Sequence, residues 1–405
     1  MAGVLDGLRV VEGSAFVAVP LAGMTLAQMG ADVIRFDRIG GGLDSGRWPV
    51  TADGHSLFWA GLNKGKRSFA VNLSDPRGQE LVAELICDTA SGCYLTNLGQ
   101  RAPLSYDALA ARRADVIVVS LSGTRAGGPA VDYTVNPSMG FPMATGPEGS
   151  SDPVAHVLPA WDCIAGQMVV NGLLAAERHR LRTGAGQLVE LSLKDVAGAM
   201  LGNLGIIGEV AVNGVDRPKY GNALYGAYGQ DFMTADGRRV MVIGLTARQW
   251  KGLVKATGTA GEMTALAERL GVDLGDEGAR FTHRHAISEV LRPWFAARRL
   301  ADFAADFDAA GLTWSEFRSF AQALSEDPDL GPDNPMFEVI EQPGIGAYPV
   351  PASPLAFSAS GRPGPAPAPV LGQHTEAILA DVLRLPSAEI GRLMDAGVVA
   401  GPARG

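Results

Sequence analysis

The chain has little with which to staple itself covalently or to hold a metal. Its 405 residues include three cysteines, Cys87, Cys93 and Cys163, an odd number without the paired spacing of a zinc site or a disulfide framework. They read as reduced core thiols in a cytoplasmic protein. The six histidines form no H-E-x-x-H; only His283 and His285 lie close together, in a charged helical stretch that a solvated face accounts for. No metal is expected. The G-x-S-x-G of a serine hydrolase is absent, and so is G-x-G-x-x-G. In its place stands Glu12-Gly13-Ser14-Ala15-Phe16-Val17-Ala18-Val19-Pro20, which denies a dinucleotide the usual close backbone approach. No apolar run is long enough to span a bilayer, and the apolar stretch from Ala15 to Ala22 has no basic leader, so neither a membrane partner nor a signal peptide is expected. Basic residues are outnumbered 34 to 43, for a formal charge of -9, which argues against a broad nucleic-acid surface. An anionic ligand must be met locally.

What is present is an ordinary globular composition, 47% hydrophobic and 19% charged, and enough length for one large domain with a smaller companion. In the first 125 residues, β-branched runs (Leu8 to Val11, Asp32 to Phe36, Ser68 to Leu73, Cys93 to Asn97, Asp115 to Leu121) alternate with amphipathic stretches. That alternation marks βαβ units and a parallel sheet. A long helix, Cys163 to Arg180, follows Asp162 and ends in the basic cluster Arg178, His179, Arg180 and Arg182, which suits a helix C-terminus. A strand and a helix are expected over 186–206. Asp236-Gly237 between two alternating runs signals an antiparallel hairpin within 220–246. Residues 247–311 read as helical, and the tail from Pro343 to Pro369 is rich in proline and reads as extended chain ordered by what it lies on. The expected fold class is α/β: a large Rossmann-like domain with a parallel sheet (1–224), a small α+β domain (225–325), and a C-terminal segment (326–405) returning to the large domain.

Two features can carry chemistry. Lys64-Gly65-Lys66-Arg67 interrupts an acidic chain just before a strand, with Arg35 and Arg38 at the end of the preceding one. These cations either form a solvated turn or converge on phosphates at the sheet edge. Asp162, ahead of an apolar helix, is an N-cap, a nucleophile, or both. The positive end of the helix dipole keeps such a carboxylate ionised at neutral pH and able to attack an acyl carbon.

The signatures Gly7-Leu8-Arg9-Val10-Val11, Gly30-Ala31-Asp32-Val33-Ile34-Arg35, Asn63-Lys64-Gly65-Lys66-Arg67-Ser68, Asp162, Thr183-Gly184-Ala185-Gly186-Gln187 and Pro367-Ala368-Pro369-Val370-Leu371-Gly372-Gln373-His374-Thr375 occur in order along almost the whole chain. Together they resemble the class III CoA transferases, the CaiB/BaiF family. The resemblance implies the family's fold, an interlocked homodimer, an acyl-CoA substrate with CoA as part of it, and no permanently bound cofactor. It puts the nucleophile at Asp162 and CoA contacts at Phe16, Val17, Ala18, Arg38, Val71, Asn97, Leu98 and Leu193. The stretches Glu12 to Gln28, Gly41 to Thr51, Ser56 to Arg67, Val131 to Gly146, His156 to Arg180 and Asn334 to Gly346 are similar to members that move CoA between the two carboxyl groups of one dicarboxylate. Intermolecular transfer between two acids is the alternative. The family's racemases place a histidine about thirty residues before the aspartate; Val131 and Asp132 stand there, so a second base for proton exchange is missing.

Overall fold

A computed structural model describes residues 3–88 and 92–402. The chain divides into two compact units, one built from Met1–Met139, Val157–Gly208 and Pro328–Gly405, the other from Gly140–His156 and Glu209–Asp327. The second unit thus begins with a short segment far upstream of the expected 225–325 boundary. That segment docks through side chains, since Glu148 pairs with Arg284 at 2.6 Å, and long-range pairing of this kind leaves no periodicity to read.

The first unit is built on β1 (Arg9–Gly13), α1 (Ala18–Gln28), β2 (Asp32–Asp37), α2 (Leu57–Leu62), β3 (Arg67–Val71), α3 (Pro76–Asp88), β4 (Cys93–Thr96), α4 (Tyr106–Arg112) and β5 (Ile117–Ser122). Then come α5 (Asp132–Ser138), the long α7 (Ala160–Thr183), β6 (Gln187–Ser192) and α8 (Leu193–Asn203), whereas the single turn α6 (Phe141–Ala144) belongs to the second unit and α9 (Ile206–Asn213) runs across the boundary into it. Strands β1 to β6 pair in parallel in the order β3-β2-β1-β4-β5-β6, so the strand order reverses between β1 and β4. In sheets of this kind ligands bind outside the carboxyl ends of the strands at that reversal.

The central strands are β-branched and buried on both faces (Val10, Val11, Val33, Ile34, Ile117, Val118), as helices on both sides require. The caps are local. Ser56 Oγ accepts from Trp59 N at 3.0 Å, Ser192 Oγ from Asp195 N at 3.0 Å, and α7 ends at Gly184 in the left-handed region (φ 75°).

The second unit carries the expected hairpin, β7 (Tyr228–Met233) and β8 (Arg239–Gly244), joined antiparallel by β9 (Thr313–Glu316). Its core is aromatic: Phe232 stacks on Phe295 at 4.5 Å, and Trp250, Phe303 and Phe307 are buried with them. In the tail the structure adds an antiparallel pair, β10 (Phe337–Gln342) and β11 (Gly346–Pro351). The prolines at 343, 349 and 351 hid that pair in the sequence, because proline is tolerated only where a strand needs no ladder donor. The tail does return to the first unit. His374 Nδ1 accepts from Ser68 N at 3.1 Å and Thr375 Oγ1 from Ala70 N at 3.0 Å, and β12 (Val399–Ala400) pairs antiparallel with β3. No single helix among the described residues is long and apolar enough to cross a membrane.

Candidate active site

Every predicted site residue except Asp162 lies at or just past the carboxyl end of a parallel strand: Phe16, Val17 and Ala18 after β1, Arg38 after β2, Val71 at the end of β3, Asn97 and Leu98 after β4, Leu193 after β6. The strongest convergence is at the strand-order reversal. Asn97 Oδ1 accepts from Ala15 N and its Nδ2 donates to Ala15 O, both at 2.9 Å, so one amide clamps both polar backbone groups of the residue before Phe16. Phe16 itself has φ 66°, a left-handed conformation that a bulky residue holds only when its surroundings impose it. The turn then delivers Val17 and Ala18 to the start of α1, whose first turn has no side-chain cap.

Arg38 is exposed and its Nε donates to Gly41 O. With Asn72 and Leu73 it lines a cavity of about 630 Å³ that also takes in Ile39, Ser74 and Gly397. Val71 and Leu193 are different. Val71 is fully buried in the cluster with Ile34 and Phe69, and Leu193 is buried at the head of α8, so their side chains serve the core and only their backbone borders the cleft. Leu98 is half exposed.

Asp162 sits in the first turn of α7 but is not its N-cap; Pro159 occupies that place, without a side-chain cap bond. The capping is done from another element. Asp132, the first residue of α5 and 1% exposed, turns its Oδ2 to Trp161 N at 2.7 Å and Asp162 N at 3.2 Å. Asn136 Oδ1 accepts from Trp161 Nε1 at 3.2 Å, which fixes α5 against the start of α7. A second acid beneath the first reverses the expected electrostatics. Burial first and the charge of Asp132 second push the Asp162 carboxyl up to about 6, against the pull of Arg47. Asp162 is therefore largely ionised at pH 7 but far more basic than an exposed aspartate, and so a better nucleophile. The same surroundings raise the neighbouring Cys163 thiol. The start of α7 also has no spare N–H for an oxyanion, since Ala160 N and Cys163 N bond to Leu158 O and Pro159 O.

α1 brings its own N-terminus beside that of α7. Gly166 makes the approach possible: a Cβ there would lie 2.7 Å from Ala18 O and 3.2 Å from the Leu21 side chain. Phe16–Ala18 and Asp162 are neighbours for this reason.

Apart from Arg38, most of the basic cluster is turned inward, toward buried acids and carbonyl groups. Arg35 is 1% exposed and is held by Asp37 at 3.0 Å, Asp44 at 2.9 Å and the Ser14 carbonyl at 3.2 Å. Lys66 donates to Glu12, Asn63 Oδ1 and Pro20 O, each at 2.9 Å, and burial pulls it down to about 8 against the charge of Glu12. Lys64 is buried and bonds to Gly61 O; Arg67 pairs with Asp32. Three buried acids demand internal cations, because an unpaired buried charge costs several kcal/mol. The network ties the β1–α1 turn, the loop after β2 and the end of α2 into one block.

The profile of CoA-transferase family III matches residues 5–375. The chain belongs to CoA-transferase family III. This family III enzyme is 59% identical over the full length of both chains to the 2-methylfumaryl-CoA isomerase of Chloroflexus aurantiacus. It is 28% identical to the succinyl-CoA:glutarate CoA-transferase of Mus musculus, covering 98% of this chain and 90% of that one. Its fold superposes on a CaiB/BaiF family protein from Brucella suis with a TM-score of 0.77 at 24% identity, over 94% of this chain and all of that one. The family III fold accounts for the α/β architecture. Two residues of the site were not singled out by the sequence as functional: Asp132, noted only for not being histidine, and Arg47. The one signal for Arg47 was a cation placed directly after the glycine-rich stretch from Gly40 to Gly46.

Proposed function

We propose that this family III CoA transferase moves CoA within one dicarboxylate, from the C1 to the C4 carboxyl of mesaconate, converting 2-methylfumaroyl-CoA to 3-methylfumaroyl-CoA. The choice of substrate is supported by the full-length 59% identity to the Chloroflexus isomerase. The chemistry rests on one observation, a half-buried carboxyl pushed up to about 6 at the head of α7 and beside the uncapped start of α1.

Asp162 attacks the C1 thioester carbonyl, forming a mixed anhydride and releasing CoA thiolate. The thiolate attacks the aspartyl carbonyl, which leaves an aspartyl-CoA thioester and free mesaconate. The C4 carboxylate then attacks that thioester to form a second anhydride and expel the thiolate once more. Attack of the thiolate on the C4 acyl carbon gives the product and restores Asp162. The Asp162 carboxylate must be unprotonated to begin, which a value near 6 allows at neutral pH. The free backbone N–H groups at the first turn of α1 suit the developing oxyanion, as those of α7 do not. Anhydrides hydrolyse readily, so mesaconate has to stay in place between the two halves, where it also acts at high effective concentration.

Incubation of the enzyme with 2-methylfumaroyl-CoA alone is expected to give the 3-methyl isomer without exchange of added labelled mesaconate. Asp162→Asn abolishes it, and mass spectrometry of quenched reactions finds the adduct on Asp162 only in the unsubstituted enzyme. Dependence on an added acid makes the transfer intermolecular, and full activity of Asp162→Asn removes the nucleophile.

A further inference from the structure

Arg47 is exposed on the loop between β2 and α2 and forms no ion pair among the described residues; the nearest acid in sequence, Asp44, is taken by Arg35. Its guanidinium rests on two aromatic rings, 5.7 Å from the centroid of Phe16 and 5.3 Å from that of Phe58. Stacking of this kind fixes the plane of the group and leaves its N–H edge open. The backbone beneath it is anchored as well, by Ser56 Oγ donating to Arg47 O at 2.5 Å and by the Asp44–Arg35 pair three residues back. Phe16 leads directly into Ala18, against which Gly166 packs α7, so the cation stands on the Asp162 side of the β1–α1 turn, and its field reaches that carboxyl.

A cation so placed works against the nucleophile, because it stabilises the resting carboxylate more than the neutral anhydride. Its position has a use if a second negative charge enters the site. The substrate proposed above brings one, the carboxylate that is not bound to CoA, and after the first half-reaction the free acid has nothing covalent to retain it. We propose that Arg47 grips the free carboxylate of the dicarboxylyl substrate, selecting dicarboxylates over monocarboxylates and holding the acid while CoA is carried on Asp162. This inference rests on the functional reading above. In the trans dicarboxylate the two carboxyls point to opposite ends, so a half-turn of the acid exchanges the one on Arg47 with the one facing Asp162.

The test separates binding from chemistry by using the Asp162→Asn enzyme, in which neither ester reacts. Calorimetry of mesaconyl-CoA and of crotonyl-CoA, which lacks the second carboxylate, is compared with and without Arg47→Met. The methionine is expected to weaken mesaconyl-CoA about 10- to 100-fold, as loss of a charge-assisted bidentate pair does, and crotonyl-CoA by less than about threefold. Arg47→Lys falls between, keeping the charge but not the fork. Equal loss on both esters, or none on either, overturns the assignment. An enzyme that binds mesaconyl-CoA through Arg47 but does not isomerise it leaves the grip standing and removes only the proposed reaction; one that binds neither ester removes both.

Discussion

At the scale of single residues, the site turns on two aspartates that share one helix terminus. Asp132 meets the N–H groups of Trp161 and Asp162, and its charge helps lift Asp162 to about 6. In the proposed reaction the carboxylate is the attacking form, so kcat/KM is expected to rise with pH through about 6 and level off above it. Asp132→Asn keeps an oxygen for the two N–H groups and removes the charge, which takes away one of the two causes of the upward shift. The acid limb of the profile then moves to lower pH, while weaker capping costs about 1 kcal/mol of stability. A limb that stays in place in a pH–rate series would show that Asp132 does not tune Asp162. The sequence supplied Asp162 and the idea of a cap, but attached the cap to the wrong residue. An acid twenty-eight positions ahead of the helix carries no local sign that it will fold back over its end.

Among the elements, the contact between α1 and α7 decides whether the turn at Phe16 faces Asp162. Gly166 allows that contact, and its Cβ would meet a backbone oxygen, which cannot swing aside as a side chain can. Gly166→Ala is therefore expected to wedge the helices apart, lower stability by roughly 1–3 kcal/mol and reduce kcat at least tenfold, because small misplacements cost rate steeply. Thermal melts and single-turnover kinetics check both; a variant with unchanged kcat shows that the two helix ends act separately. The helices and strands themselves were legible. The period of two in 228–244, the β-branched runs of β1, β2, β4 and β5, and the apolar face of α7 follow from composition alone. The β10–β11 pair was not, since its prolines break the alternation that marks a strand.

For the whole molecule, the buried ion network and the exposed apolar surface point in different directions. Arg35, Lys66, Glu12, Asp37 and Asp44 look inward and hold the loops around the cleft. Outward, α9 is mostly apolar with none of its residues buried; Ile207 is 53% and Val212 83% exposed. Such a helix in water calls for a cover. A homodimer, which the family resemblance implies, would supply one, and sedimentation equilibrium is expected to return two chains per particle. A stable monomer with Val212 accessible to solvent would exclude it.

From its sequence alone the chain determined most of its elements, its parallel-sheet architecture and the place of an acid, Asp162, at the head of the long helix, because β-branching, helical periodicity and ordered motifs act over short spans. Only the tertiary structure decided which charges face the cleft. Lys66 and Arg35 read as part of a surface cluster, yet they are drawn inward because Glu12, Asp37 and Asp44 must be neutralised where water cannot reach. Arg47 is left outside by the same accounting of partners, with its nearest acid already taken. Pairing over such distances depends on the fold as a whole, and no stretch of the chain records it by itself.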